Sequence, residues 1–153
     1  MATTSVDLYR AVRGNPYKHG TVVEGKPVPG VLFPDFYRRK VGEDWREPDV
    51  DMLTDEKGEE WVKEGGGTSL FDKRGVFASA AWKYFDIPKG TDIPGSLVVR
   101  KTGWNKKFQA NHWQIEVRTG MMTKTAMQGD LDTLARNAVA RSVEMAKSGK
   151  SLV

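Results

Sequence analysis

The chain has 153 residues, with 24 Lys and Arg against 20 Asp and Glu for a net charge of +4, two histidines and no cysteine. That length suits one domain spanning 1–153. The missing cysteines exclude disulfides, thiol nucleophiles and cysteine-bound metal, and two histidines exclude a multi-histidine metal site. No apolar run approaches the ~20 residues that cross a bilayer, and the opening MATTSVDLYR lacks a signal-peptide core. The expectation is synthesis and folding in the cytosol, no membrane partner, and any export through a route that reads another signal.

Residues 6–13 alternate, with Val6, Leu8, Arg10 and Val12 on one face, and predict an opening strand that sets Arg10 among apolar neighbours. Residues 14–64 read as irregular: five of the seven prolines fall in 14–60, with short strands expected around 22–23 and 31–33. Residues 43–64 hold ten acidic against three basic side chains, so the rest of the chain is strongly basic. A basic body points to an anionic ligand such as a nucleotide, polyphosphate or nucleic acid; a solvated acidic loop on an ordinary surface explains the same numbers. Glu64-Gly65-Gly66-Gly67-Thr68-Ser69 is a glycine turn feeding two hydroxyls, with a short helix expected after it. Strands follow near 82–85, 96–102 and 108–118. In the last, Phe108, Ala110, His112, Gln114, Glu116 and Arg118 share a face. Residues 130–147 place Leu131, Leu134, Ala135, Ala138, Ser142 and Met145 on one helical stripe, with Asp130 as expected N-cap and Gly149 beyond the end. Strands in the middle and helices at the edges give an α+β class.

Several chemistries fall away. No serine sits in a Gly-x-Ser-x-Gly elbow, so pairing Ser69 with His112 as a hydrolase lacks its motif. The Gly65–Ser69 run lacks the Gly-Lys-Ser/Thr ending of a phosphate loop, and no Gly-x-Gly-x-x-Gly follows a strand. Other constellations remain. Arg100, Lys101, Lys106 and Lys107 bracket Trp104 with no acid between them, a combination for phosphate contact and base stacking or simply a basic hairpin. Arg10 on an apolar face needs an anion or an internal ion pair, and a diphosphate suits its fork. The glycines before Thr68 and Ser69 allow close backbone approach to a ligand, or form an ordinary turn. His112, Gln114 and Glu116 are either three polar groups aimed at one place or the solvent side of an edge strand.

Five segments occur in register with a known family: Leu8-Tyr9-Arg10-Ala11, Gly66-Gly67-Thr68-Ser69-Leu70-Phe71-Asp72-Lys73, Ile87-Pro88-Lys89-Gly90-Thr91-Asp92-Ile93-Pro94, Asn105-Lys106-Lys107-Phe108-Gln109-Ala110-Asn111-His112, and Leu131-Asp132 followed by Arg136-Asn137-Ala138; Arg46-Glu47-Pro48-Asp49-Val50 also resembles a family segment upstream of the glycines. Over about residues 7–147, with a gap across 14–44, the chain resembles the second exported toxin family of bacterial type VI secretion (Tse-type), which is ADP-ribosyltransferase-like. The resemblance implies a split β-sandwich of two small sheets with flanking helices, gripping NAD as co-substrate. It implies a toxin that arrests growth of the cell it enters, acts in that cell's cytosol on a macromolecular acceptor, and is countered by an immunity protein. Carried over, Arg46 matches a functional arginine, Thr68 and Ser69 the hydroxyl pair, and His112 the histidine. Arg10 matches the first-strand arginine of such transferases, and Glu116 is the candidate for their late-strand glutamate, with His112 or Gln114 as substitutes. Within that scheme Arg10 and Arg46 hold the diphosphate, Gly67 permits close approach, and Tyr9 or Phe71 stacks on nicotinamide. Two other readings stand beside it: a nucleic-acid-binding module built on residues 100–107, and a catalytically dead relative that binds a partner.

Overall fold

Alternating side chains carry the first strand. In the computed structural model, which describes residues 2–151 so that Met1, Leu152 and Val153 of the expected 1–153 span lie outside it, β1 (Leu8–Val12) buries Leu8 and Val12. Gly14, at φ +108°, then turns the chain into a single 3-10 turn at Asn15–Tyr17, where Pro16 supplies a preset φ. Two hairpins follow, β2 (Val22–Val23) with β3 (Lys26–Pro27) and β4 (Arg39–Val41) with β5 (Asp44–Arg46), the second exposed along its whole length. The remaining strands are β6 (Met52–Thr54), β7 (Glu60–Lys63), β8 (Gly67–Phe71), β9 (Lys83–Ile87), β10 (Leu97–Asn105), β11 (Ala110–Val117) and β12 (Met121–Thr123), before helix α1 (Lys124–Ser151).

Five strands make one antiparallel sheet in the order β10-β11-β8-β1-β9, and three make a second, β12-β7-β6. The architecture is therefore mixed: small antiparallel sheets and one C-terminal helix. Leu8, Leu70, Phe85, Ile87 and Ile115 of the larger sheet, Val31 and Leu32 from the turns before β4, and Met127, Leu131, Leu134, Ala135 and Ala138 of α1 are each no more than 1% exposed. Burying each Leu or Ile contributes about 1.5–3 kcal/mol, so this layer holds the sheet against the helix.

Three local expectations are corrected. Residues 31–33 are turn, not strand: Phe33 N–H bonds the Gly30 carbonyl at 2.9 Å, and Gly30 has φ +81°. Their apolar side chains plug the core rather than extend a sheet. Residues 67–71 are β8 and not the start of a helix, because β11 offers a full ladder from His112 opposite Phe71 to Glu116 opposite Gly67. Finally, α1 begins six residues before Asp130. The Thr123 hydroxyl accepts Ala126 N–H at 3.1 Å and serves as the N-cap, while Asp130, inside the helix, accepts the Ser96 hydroxyl. Gly149 lies within α1, and at the far end of the stripe Ser142 and Met145 are exposed.

Candidate functional site

The opening strand and the strand after the glycines barely pair. A single residue pair, Tyr9 with Phe71, registers β1 on β8. Where the ladder stops, carbonyls are left without amide partners, and Arg10 fills the gap. Its Nη1 donates to the Ser69 carbonyl at 3.1 Å and its Nη2 to the Phe33 carbonyl at 3.1 Å, while buried Nε has no partner. No carboxylate lies in ion-pair contact with it among the described residues. Burial pushes the guanidinium below its usual value, and Asp49, then Tyr17 and Asp35, pull it part of the way back. Arginine stays charged in proteins, so this is an incompletely neutralised, half-buried cation rather than the internal ion pair that the sequence also allowed.

It opens onto a cleft of about 390 Å³. Arg13, Arg39 and Arg46 stand on the same walls with Asp35 and Asp49, four arginines against two aspartates. Arg39 and Arg46 reach in from the β4–β5 hairpin and share the Asp35 carboxylate, at 3.2 and 3.6 Å. Aromatic rings form the opposite end. Phe77 stacks on Trp82 with centroids 4.4 Å apart, Phe71 meets Phe77 and Phe108 edge-on, and the Arg13 guanidinium lies 4.7 Å from the Trp82 ring. Larger hollows of about 740 and 660 Å³ exist. They gather less positive charge: the first is lined by Arg118 with Asp92, and the second by Lys83 and by Arg74, which pairs with Asp86. An anion therefore has most to gain in the smaller one.

On the outward face of β8 and β11, Ser69 Oγ lies 2.9 Å from His112 Nε2, and His112 Nδ1 lies 2.5 Å from Thr102 Oγ1. His112 is half-buried, which lowers its pKa from the ordinary 6.5 and favours the neutral ring. Gln114 stands opposite Ser69 in the ladder, and Glu116 two residues on. The Glu116 carboxylate is buried under Arg100, which donates to it from Nε and Nη2 at 3.1 and 2.6 Å, and under Gln114 at 2.9 Å. At the far end of β8, burial would raise the Asp72 pKa. Hydrogen bonds from the Asn111 side chain and backbone and from Trp113 outweigh this and hold it below the carboxylate range.

The other sequence candidates divide. Phe71 and Arg46 line the cleft. Thr68 is fully buried and gives its hydroxyl to the Leu32 carbonyl at 2.5 Å. Tyr9 lies along a separate hollow with Asp86 and Pro88. A Cβ on Gly67 would come within 1.8 Å of the Ile115 carbonyl, and one on Gly66 within 2.2 Å of the Asp49 carbonyl. The close approach these glycines allow is thus of the protein's own backbone. In the basic hairpin, Trp104 is 59% exposed, while Arg100 is committed to Glu116. Thr102, Asp35 and the Phe77–Trp82 pair were not singled out by sequence. Thr102 owes its position to a bulge, and Asp35 to the irregular stretch before β4, neither of which has a pattern to read.

The chain was compared with known proteins. The family model described as "Tse2 ADP-ribosyltransferase toxin" matches residues 4–143. Toxin Tse2 of Pseudomonas aeruginosa is 36% identical over 154 aligned positions, covering 94% of either chain. A match across that much of the sequence takes in β1, the glycine turn, β8, β11 and most of α1 together, and so the chain belongs to the Tse2 family of ADP-ribosyltransferase toxins.

Proposed function

We propose that the cleft between β1 and β8 is the NAD site of this toxin, that the fold is the split β-sandwich of ADP-ribosyltransferases, and that the enzyme arrests growth from the cytosol of the cell it enters until an immunity protein blocks it. The observation that carries the reading is the Arg10 guanidinium: half-buried, with its buried Nε unpartnered, without a carboxylate partner, and opening into the same cleft as Ser69. A diphosphate supplies the charge that Arg10 lacks, and its oxygens are the acceptors that a forked donor fits. Arg46 and Arg39 add positive charge from the rim. Phe71 and the Phe77–Trp82 stack provide an apolar wall for a flat aromatic ring.

Cleaving the nicotinamide–ribose bond develops positive charge on the sugar, as in glycoside cleavage. The protein's part is to orient the ribose and to handle a proton. Ser69 Oγ, backed by His112 Nε2, is the hydroxyl suited to the first task and His112 the base suited to the second. Glu116 shares that face, but Arg100 neutralises it, so His112 is the titratable group in contact with Ser69. Thr68 supports the site from behind by tying β8 to Leu32.

The test is incubation of the purified protein with labelled NAD and cell extract, alongside Ser69→Ala and His112→Ala. Label should pass to a macromolecule with the wild type and fall by about 10²-fold or more in either variant, with circular dichroism and melting unchanged. Equal transfer by all three would overturn these roles. No transfer and no NAD-induced rise in melting temperature in the wild type would remove the NAD site itself.

A further inference from the structure

Strand β10 loses register against β11 between Lys101, opposite Trp113, and Gly103, opposite His112. One residue, Thr102, is left over. A bulge of this kind re-aims a side chain, and here it delivers a hydroxyl to a ring. The residue directly opposite His112 is a glycine with no side chain to offer, and Thr102 Oγ1 reaches the imidazole instead.

Hydrogen counting fixes the protons. Thr102 Oγ1 contacts two atoms of the same residue, the His112 carbonyl at 3.1 Å and His112 Nδ1 at 2.5 Å. A hydroxyl has one proton, and a carbonyl can only accept. Both contacts are hydrogen bonds only when the Thr102 proton goes to the carbonyl and Nδ1 carries the hydrogen that points at Thr102 Oγ1. In the neutral ring this leaves Nε2 with a lone pair, 2.9 Å from Ser69 Oγ, whose own proton then points at it. The reverse tautomer would put a hydrogen on Nε2 and forfeit the bond to the carbonyl.

We infer that Thr102 is a positioning residue: by accepting Nδ1–H it holds His112 in the tautomer whose Nε2 accepts the Ser69 hydroxyl proton. The logic is that of a nucleophile or orienting hydroxyl, a base, and a third group that turns the base, with a threonine in the third place. The half-buried ring supports the neutral form. The charged side chains around it do not compete: Arg100 and Glu116 on β10 and β11 neutralise each other, and Arg10 directs one N–H of each Nη to the Ser69 and Phe33 carbonyls rather than to the ring. Phe71, edge-on to the ring at 5.4 Å, carries no charge.

The catalytic consequence rests on the proposed roles of Ser69 and His112, whereas the tautomer is a property of the protein alone, and two readouts separate them. The first is the ¹⁵N imidazole spectrum of the full chain near neutral pH, for wild type, Thr102→Val and Thr102→Ser. The wild type and Thr102→Ser should show His112 with a protonated Nδ1 and a lone-pair Nε2, and Thr102→Val a mixed or reversed pattern. Wild-type Nε2–H, or an unchanged pattern in Thr102→Val, overturns the inference. The second is label transfer from NAD. Thr102→Val should lower kcat by about tenfold or more, within the 10²–10⁴ that a general base supplies, with KM for NAD little changed and kcat rescued by Thr102→Ser. Unchanged kcat in Thr102→Val, where His112→Ala is inactive, also overturns it. Full activity in His112→Ala would instead defeat the site reading, and the spectra would still decide what Thr102 does.

Discussion

Arg10 and Arg46 face the same cleft from opposite kinds of support. Arg10 stands on a strand of the five-stranded sheet, half-buried, with two carbonyls holding its fork at 3.1 Å. Arg46 ends an exposed hairpin, with a side chain 59% exposed and one loose ion pair to Asp35 at 3.6 Å. A half-buried guanidinium in fixed geometry discriminates by shape and hydrogen-bond direction. A solvated one contributes mainly charge, screened by salt. The sheet side of this cleft can therefore specify which anion binds, and the hairpin side chiefly raises the chance that any anion arrives. The Ser69–His112–Thr102 chain belongs to the sheet side, where ladder register places Ser69 and His112 and the bulge in β10 places Thr102.

The strongest test of that division attacks the register. Gly67→Ala places a Cβ where the Ile115 carbonyl already is, 1.8 Å away and on backbone. β8 and β11 must separate or the strand must shift. Cooperative unfolding should be lost or the melting temperature should fall steeply, a cost beyond about 4 kcal/mol. Gly25→Ala, in the β2–β3 turn at φ +77° with open space around it, is the comparison: it pays only backbone strain, about 1–2 kcal/mol. Comparable melts for the two would mean that β8 is not clamped by β11.

Next in size is one substitution made twice. Arg10→Lys keeps the charge and loses the fork, so one of the two carbonyls goes without its donor and a diphosphate loses its two-point contact. NAD affinity measured by calorimetry should drop by about tenfold to a hundredfold, the worth of one or two charge-assisted hydrogen bonds. Arg46→Lys keeps what an exposed arginine supplies, and affinity should change by less than about threefold, with salt dependence retained. Equal losses at both positions would erase the contrast between sheet and hairpin.

How far the sequence carries these features depends on what each rests on. Periodicity made β1, β9, β10 and β11 readable, and the same alternation put His112, Gln114 and Glu116 on one face, where the ladder sets them beside Ser69. It also placed Arg10 among apolar neighbours. What periodicity does not encode is pairing. The helix expected after the glycines is β8, because a partner strand from forty residues later supplies the ladder. The start of α1 was read at Asp130, since residues 124–129 include only one buried apolar side chain, Met127, to extend the stripe. Likewise Thr68 and Ser69 look equivalent in sequence, yet strand alternation sends one hydroxyl into the core and the other to the cleft face.

The smallest expected effect is on stability against pH, and it separates the two sides by their titrating groups. His112 has a folded pKa below its ordinary value of 6.5 because burial disfavours the imidazolium. Below pH 6.5 the unfolded chain then binds more protons at this position than the native chain does, so stability is full above that value and falls as pH drops toward the folded pKa. Asp72 acts lower: its folded pKa lies beneath the ordinary 3.8, and its contribution is lost only as pH falls through that depressed value. Chemical denaturation between pH 7.5 and about pH 5 should show a gentle decline worth a fraction of a proton, which His112→Gln flattens and Arg46→Lys leaves in place. A decline that survives His112→Gln would mean that the ring is not shielded by the sheet. The imidazole next to Ser69 would then be as solvated as the hairpin arginines, and the contrast between the two walls of the cleft would reduce to distance alone.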